Sequence, residues 1–374
     1  MIDTKYIDKW WIFTPDIIGI IASFLHCKDA INLCYLNKQF YALFLIPVIR
    51  NSHVSINIDT IRNSPTTNLF NMLSTMNLHI NGMRSIREPI FLYIEKLFNG
   101  TNNPNAWKNL RYISFGKSFN RKIDILPPSL CVLAFHPKSI FNQKITKLSC
   151  TNLKCIYFGK FFNQKIDFLP DSVEIIHFSD SSKFDKPIRN VPNSLKEIYF
   201  GQWFNHDISA IWMAKSLNKL QFSVRSIFMH PIIPSYSLKI LNLGMYFNRA
   251  LDLYESNLIS LKFHKLSHYN SVLSIPYSLV ILIIGEKFDQ ELHVGSNTNL
   301  NRIQFYAKAR FNQTLNIPYS CKSLIIGRHF NSGLIGGSGL EVLKFSKYSK
   351  FDKPLDRLEK NKLLIIYGLD NYRQ

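Results

Sequence analysis

Histidines and glycines are the residues of this chain whose spacing comes nearest to a catalytic or ligand-binding motif. His264 and His268 lie four residues apart, which suits two metal ligands on a helix, but His264 directly follows a strand-like stretch. The glycines of NSGLIGGSGL, residues 331–340, lack the Gly-Lys-Ser/Thr that completes a phosphate-binding loop. Paired acids, HExxH and the nucleophile elbow do not occur in the sequence. We therefore expect a protein that is not an enzyme and that holds neither a metal nor a cofactor.

The six cysteines and the apolar segments indicate the compartment. The cysteines form no CxxC pair and are too sparse for a disulfide framework, which indicates a reducing environment. The N-terminal residues MIDTKYIDKWW lack the basic-then-apolar order of a signal peptide. The longest apolar stretches, such as 40–49, reach about half of the ~20 residues of a membrane span. We expect an intracellular, cytoplasmic protein without a membrane partner, and a nuclear location also fits.

The formal net charge of +20 lies almost entirely beyond residue 97. A basic surface favours acidic proteins, nucleic acid or anionic membranes as partners. An A/T-rich coding sequence offers a second explanation, because Lys, Asn, Ile, Phe and Tyr are all abundant here. The charge alone does not decide between a functional and a compositional origin.

A Phe-Asn or Phe-Asp pair recurs about every twenty residues, and such a period predicts a solenoid. Met229-His230 and Tyr269-Asn270 fill the two large gaps as degenerate copies. Phe98-Asn99 is interpreted as a worn first copy. The aromatic residues of the pairs are Phe119, Phe141, Phe162, Phe184, Phe204, Phe247, Phe288, Phe311, Phe330 and Phe351.

A second landmark with the same period is the hexad L-x-x-L-x-F, as in LKCIYF from Leu153. Its fourth and sixth positions alternate as in a short strand with one buried face, and its first position is buried from the preceding turn. The other hexads begin at Leu110, Leu130, Val173, Leu195, Leu217, Leu238, Leu258, Leu279, Leu300, Cys321 and Leu340.

About fifteen residues separate successive hexads, commonly with Phe-Asn followed by Leu-Pro-x-Ser. This length leaves no room for a helix of three turns, so each repeat is predicted to be a strand, a turn, an extended return arm and a second turn. We expect the Phe to fill a corner of the coil and to stack on the Phe of the next coil. The Asn is expected to cap turn backbone groups. Its replacement by Asp in some copies indicates that accepting a backbone N–H is its essential role.

The recurrence of Phe-Asn, Leu-Pro-x-Ser-Leu and Phe-Gly together, as in GKFFNQKIDFLPDSV, resembles the FNIP repeat family over about residues 98–368. The Pro that names the family is absent from most copies, and FDKPI at 184–188 comes near it. The resemblance implies a mainly β fold: a short-strand parallel β-solenoid of leucine-rich-repeat type with about twelve repeats. It also suggests an amoebal or giant-viral source and, for a viral protein, the host cytoplasm.

The first fifty residues are organised differently, and residues 13–44 resemble an F-box. Thr14-Pro15 precedes apolar residues at helical spacing, and Lys28-Asp29 interrupts the run before a Cys- and aromatic-bearing stretch. Thr14 and Phe40 stand where the family has Leu and Trp. The domains are thus predicted as 1–50 F-box, 51–97 connecting segment, packed on the first coil, and 98–374 repeat solenoid.

The F-box resemblance implies a substrate-recognition adaptor of a Skp–cullin–F-box ubiquitin ligase. The F-box would contact the Skp adaptor, and the solenoid would hold a target protein. The alternative for the N-terminal helices is a cap over the end of the solenoid. The residues assigned to the Skp-adaptor contact are Pro15, Ile17, Ile18, Ile21, Leu33, Cys34 and Phe40.

Positions 3 and 5 of each hexad are expected to point outward and to form one continuous face. Tyrosines occur in the early coils and cations in the later ones, so we expect an acidic target protein with apolar anchors. A non-ligase interaction solenoid and a basic nucleic-acid-binding solenoid are the alternatives, the latter disfavoured because cations and aromatics do not interleave. The residues assigned to target binding are Tyr157, Ile175, His177, Tyr199, Lys219, Lys262 and Arg302.

Overall fold

A computed structural model describes residues 54–57, 77–81, 111–123, 126–145, 148, 150, 152–295, 299–355, 358 and 363–369. The predicted F-box core, 13–44, and the worn copy at Phe98-Asn99 lie outside these residues. The chain divides into two compact units, Met1–Lys154 and Cys155–Gln374. None of the helical segments in the described part of the chain has the length and apolarity that crossing a bilayer requires.

The described strands of the first unit form a parallel sheet in the order β1-β2-β3-β4. The connecting segment 51–97 contributes the first two of these strands, because its sequence also alternates apolar residues at Val54 and Ile56 and at Leu78 and Ile80. The strands are β1 Val54–Asn57, β2 Asn77–Asn81, β3 Tyr112–Phe115 and β4 Val132–Phe135.

The second unit is a parallel β-solenoid in which each coil contributes one short strand to a single sheet. Its described strands in this sheet are β5 Cys155–Phe158, β6 Ile175–Phe178, β7 Glu197–Phe200, β8 Lys219–Phe222, β9 Ile240–Leu243, β10 Ser260–Phe263, β12 Ile281–Ile284, β14 Arg302–Phe305, β16 Ser323–Ile326, β18 Val342–Ser346 and β19 Leu364–Leu369. Neighbours are in register, so equivalent hexad positions of successive coils lie side by side.

The return arms are extended, as the fifteen-residue spacing predicts. Four of them add two small parallel pairs, β11 Leu273–Ser274 with β13 Leu292–His293, and β15 Leu315–Ile317 with β17 Leu334–Gly336. One arm instead contains a short 3-10 helix, Ser209–Met213. Where Leu-Pro-x-Ser or its Ile variant occurs, the Pro carbonyl accepts a hydrogen bond from the N–H of the next hexad's first residue. For example, the N–H of Val173 donates to Pro170 O at 3.0 Å.

The hexads predict the strands correctly. Positions 3 to 6 of all twelve form strands, and the side chains at positions 4 and 6 are buried in every one. Position 1 is buried as well wherever it is described, from Leu130 to Leu340. The alternation that encodes a one-sided strand therefore builds the core, which lies between the sheet and the return arms.

The predicted aromatic stacking at the corner is also confirmed. From Phe162 to Phe351 the corner rings of the second unit form one column, with centroids 5.8 to 6.3 Å apart from coil to coil. Within a coil the corner ring also packs on the aromatic residue that ends the strand, for example Phe200 on Phe204 at 4.0 Å. Such aromatic pairs add about 0.5–1.5 kcal/mol beyond the burial of their area.

The Asn or Asp after most corner rings accepts a backbone hydrogen bond from the next coil, as predicted. The N–H of Asp185 donates to Asn163 Oδ1 at 2.9 Å, and the N–H of Asn205 donates to Asp185 Oδ1 at 3.2 Å. The same bond joins Asn270 to Asp289 at 2.7 Å. Because Asp serves as well as Asn, the acceptor oxygen is the part that the fold requires.

The sequence alignment places one repeat one residue out of register. The alignment on Met229-His230 is wrong, because Phe228 is the corner ring and stacks on Phe204 at 6.1 Å and on Phe247 at 6.3 Å. Met229 then occupies the Asn position. Its N–H still donates to Asn205 Oδ1, but its thioether side chain offers only a weak acceptor to the following coil.

Two kinds of turn alternate between the strand and the corner Phe. A short turn begins with Gly, and the following coil has a longer turn with Ser or Ala two residues before the ring, as in FGQWF at 200–204 and FSVRSIF at 222–228. A Cβ added to Gly201 would lie 2.5 Å from Ser182 Cβ and 2.5 Å from Ser179 O. The buried Ser182 hydroxyl in turn accepts the N–H of Phe184 at 3.1 Å. Each long turn therefore nests on the glycine of the next coil.

Candidate target-binding face

The seven residues assigned to target binding all lie on the outward face of the second unit's sheet and are half-buried. In β5 to β9 the first and third residues of the strand face outward and the second and fourth face the core. Because neighbouring strands are in register, the outward residues form two columns across the sheet. This face is the candidate target-binding face.

Three aromatic rings of adjacent strands lie side by side in one of these columns, and we call them the aromatic stack. His177 stacks on Tyr199 with ring centroids 4.3 Å and planes 5° apart, and it contacts Tyr157 in a tilted arrangement with centroids 5.5 Å and planes 40° apart. The Tyr199 hydroxyl donates to Oδ1 of Asp180, which lies in the turn after β6. Stacked aromatics present a large, rigid and partly apolar surface, which is the composition enriched in the centres of protein interfaces.

The environment fixes the protonation of this stack. Burial lowers the pKa of His177, and the nearby Asp180 carboxylate opposes this shift only in part. Burial and then the hydrogen bond to Asp180 raise the pKa of Tyr199. The rings of His177 and Tyr199 are therefore neutral at pH 7, so they pack together without burying a charge.

The cation predicted next to the stack is paired within the molecule. Lys219 Nζ lies 2.9 Å from Glu197 Oε2, and the two residues face each other on adjacent strands. A similar pair, Lys196 and Glu174 at 2.6 Å, borders the same strands. Half-exposed pairs of this kind contribute about 0–1 kcal/mol, so a partner can compete for them at little cost.

The later strands present a different surface. Arg302 Nη2 donates to Gln304 Oε1 at 2.6 Å, and Lys262 lies half-buried on β10. The outward residues Ile283, Gln304 and Ile325 are buried, which differs from the prediction of an open face at every coil. Long side chains in adjacent positions of parallel strands cover one another, and this accounts for the loss of exposure.

The face therefore joins an aromatic part and a more apolar part, with charged and amide residues between them. Sequence reasoning identified the two columns of residues but missed Asp180, which accepts a hydrogen bond from Tyr199, because a turn residue carries no sign of which strand it faces. Among the described residues, no group of three or more His, Cys, Asp or Glu side chains could hold a metal ion. The arrangement of this face suits recognition of a partner through side-chain contacts.

The residues assigned to the Skp-adaptor contact, Pro15, Ile17, Ile18, Ile21, Leu33, Cys34 and Phe40, lie outside the described residues.

Comparison with known proteins bears on the repeats. The chain is similar to a solved structure described as that of CroV588, a novel circular LRR protein, with 22% identity and a TM-score of 0.45 over 80% of this chain and 52% of that one. This chain thus spans about half the length of that structure. No curated protein matches. Residues 108–138 and 141–181 match the FNIP repeat family. The described residues of the second unit form a mainly β parallel solenoid.

Proposed function

We propose that this protein is the substrate-recognition adaptor of a Skp–cullin–F-box ubiquitin ligase. In this proposal the first fifty residues bind the Skp adaptor, and the candidate target-binding face holds a target protein. A repeat solenoid of this kind is typical of protein-interaction domains.

One observation carries the target-binding half of the proposal: residues that repeat from coil to coil build the scaffold, while those that do not repeat lie together on one face. The stack of Tyr157, His177 and Tyr199 is the largest aromatic cluster described on that face. Aromatic residues dominate the energetics of protein interfaces, because they bury much area at a small cost in conformational entropy.

Co-purification with Skp and cullin tests the adaptor role. The double variant Pro15→Ala/Ile18→Ala is expected to lose both proteins, because it removes apolar contacts of the predicted F-box. The matched control is Tyr199→Ala, which leaves the first fifty residues intact and is expected to keep Skp. Equal retention of Skp by both variants would contradict the adaptor role, provided that circular dichroism shows that both are folded.

Target capture under proteasome inhibition tests the face. Proteins that co-purify with the chain are compared with those retained by His177→Ala/Tyr199→Ala. The expected result is loss of a defined set of proteins while Skp is kept. If the same set survives both substitutions, the stack does not contact the target.

The alternative function is an interaction solenoid that works without a ligase, and the same face supports it. The two candidates differ in one observable, the presence of Skp and cullin with the intact chain. A chain that captures its target but neither ligase subunit has the alternative function.

A further inference from the structure

A second surface of the second unit runs along the exposed turns between each strand and its corner Phe. We call this row of turns the corner edge. In the first coils it exposes several large apolar side chains: Phe161, Trp203, Val224 and Tyr246 are 37 to 49% exposed. In the later coils the same turns carry Lys265, Lys287, Lys308, Arg310 and Arg328. The corner edge is thus richer in apolar side chains in the first coils and richer in cations in the later ones, although Lys183 and Arg225 of the first coils are also exposed.

The later coils of the corner edge contain a depression of about 700 Å³. It is formed by the turns of three consecutive coils, those of Phe288, Phe311 and Phe330. We call it the basic groove. Its lining residues are Glu286, Lys287, Asp289, Lys308, Arg310, Asn312, Arg328 and His329.

The two carboxylates of the groove are engaged within the protein. Glu286 Oε1 lies 3.8 Å from Lys265 Nζ, and Asp289 Oδ1 accepts the N–H of Asn312 at 2.8 Å. The cations of the groove have no such partner, because no carboxylate of the described residues lies within 4.0 Å of the side-chain nitrogens of Lys287, Lys308 or Arg310. All three side chains are exposed.

This arrangement contrasts with two cations on the sheet face and its margin that are paired with carboxylates. Lys219 pairs with Glu197 at 2.9 Å, and Lys322 pairs with Glu341 at 3.0 Å. The positive charge of Lys287, Lys308 and Arg310 in the basic groove is therefore available to attract an acidic partner. Complementary charge of this kind raises association rates and selects between partners.

The order of side chains along the corner edge favours a polypeptide over a nucleic acid. Single strands are bound by cations that follow the backbone together with aromatic rings on which successive bases stack. In the first coils Lys160 Nζ and Lys183 Nζ lie 5.4 and 5.1 Å from the ring centre of Phe161, but the lining of the basic groove contains no Phe, Tyr or Trp ring on which a base could stack. A polypeptide with an apolar part and an acidic part matches the exposed rings of the first coils and the cations of the groove.

We propose that the corner edge binds an extended polypeptide segment, with apolar residues on Trp203 and an acidic run in the basic groove. The inference rests on the proposed function, because it names the kind of segment that the target presents. Five steps of 5.9 to 6.3 Å separate the coil of Trp203 from that of Arg310. An extended chain that rises about 3.3 Å per residue bridges them with about nine residues.

Fluorescence anisotropy of a labelled synthetic peptide with the full chain tests the proposal. The peptide carries Trp-Leu, a Gly/Ser spacer of about nine residues and about five glutamates, and is made in both orders because the polarity of the segment is open. Lys308→Glu/Arg310→Glu is expected to weaken binding about tenfold or more. Trp203→Ala is expected to weaken it about tenfold, as loss of a central aromatic anchor does.

The matched control is Arg189→Glu/Lys215→Glu, which makes the same charge change at exposed positions outside the groove. It is expected to change the affinity less than about twofold at 0.15 M salt, where distant charges are screened. An equal loss in the control, or no binding of either peptide, would overturn the proposal. Tighter binding of single-stranded DNA, lost in the groove variant, would replace it with a nucleic-acid site. Skp co-purification is measured in parallel, so loss of the peptide site and loss of the adaptor role remain distinguishable.

Discussion

The corner and the outward sheet face of each coil differ in what they tolerate. At the corner the ring and the acceptor oxygen recur in nearly every coil, and each contacts its equivalent in the next coil. On the sheet face the equivalent positions carry His177, Tyr199 and Gln221 in three successive coils. Contacts between identical positions are what stacking requires, so the repeated residues hold the coils together. The unrepeated residues are left to discriminate between partners.

The largest loss of stability is expected from the removal of one corner ring. Phe204→Ala deletes a fully buried side chain that stacks on Phe184, Phe200 and Phe228. The expected loss of unfolding free energy is about 3–5 kcal/mol, measured by urea denaturation.

Tyr199→Ala provides the matched comparison on the sheet face and should cost much less, because the ring is only half-buried. A similar cost for both substitutions would mean that the sheet face is also scaffold.

The next effect in size concerns the nested turns. Gly201→Ala places a methyl group 2.5 Å from Ser179 O and Ser182 Cβ, and such overpacking costs about 1–3 kcal/mol. Gly333→Ala is the control, because the nearest atom to its added Cβ is 3.8 Å away. We expect the control to change the urea midpoint little. A neutral Gly201→Ala variant would show that the coils can separate at this turn.

The acceptor ladder gives a smaller effect. Asn270→Ala leaves the N–H of Asp289 without its side-chain acceptor and is expected to cost about 1 kcal/mol. Asn270→Asp keeps the oxygen and is expected to be close to neutral by the same urea measurement. If both substitutions destabilise the protein equally, the amide donors matter and the interpretation of the ladder is wrong.

The pH dependence of stability gives the smallest effect and belongs to the sheet face. Because the pKa of His177 is lowered on folding, the folded protein binds fewer protons than the unfolded chain just below pH 6.5. The contribution of His177 is therefore complete above that pH and is lost as the pH falls through the folded pKa.

His177→Gln should reduce the difference between urea midpoints at pH 5 and pH 7.5. His264 and His268, whose pKa values burial also lowers, retain their share. An unchanged difference would show that the ring is equally exposed in both states.

Sequence periodicity predicts most of this fold because one-sided strands have a two-residue period that any hexad reveals. It fails at Phe228, since the two neighbouring residues Phe228 and Met229 both suit a core and only packing shows which is inside. Periodicity also treats all turns as equivalent. The alternation of short turns with Gly and long turns with Ser or Ala can nevertheless be read along the chain.

The predicted face is limited by side-chain geometry more than by the fold. Its residues are in the predicted columns, but the Lys219–Glu197 pair and the burial of Gln304 depend on rotamers and neighbours that no period encodes. The adaptor contact assigned to Pro15 and its neighbours stays a prediction of the F-box resemblance.

The alternation of turns has a consequence for how such a chain changes length. Short-turn corner rings lie at Phe162, Phe204, Phe247, Phe288 and Phe330, so the structural period is a pair of coils. Deleting a single coil makes two short turns or two long turns neighbours. When two long turns become neighbours, the Ser of the first meets a residue with a side chain at the position where a short turn has glycine. Duplication or loss of two coils preserves every junction. Proteins of this design are therefore expected to lengthen and shorten in steps of two coils, and designed variants should be cut the same way.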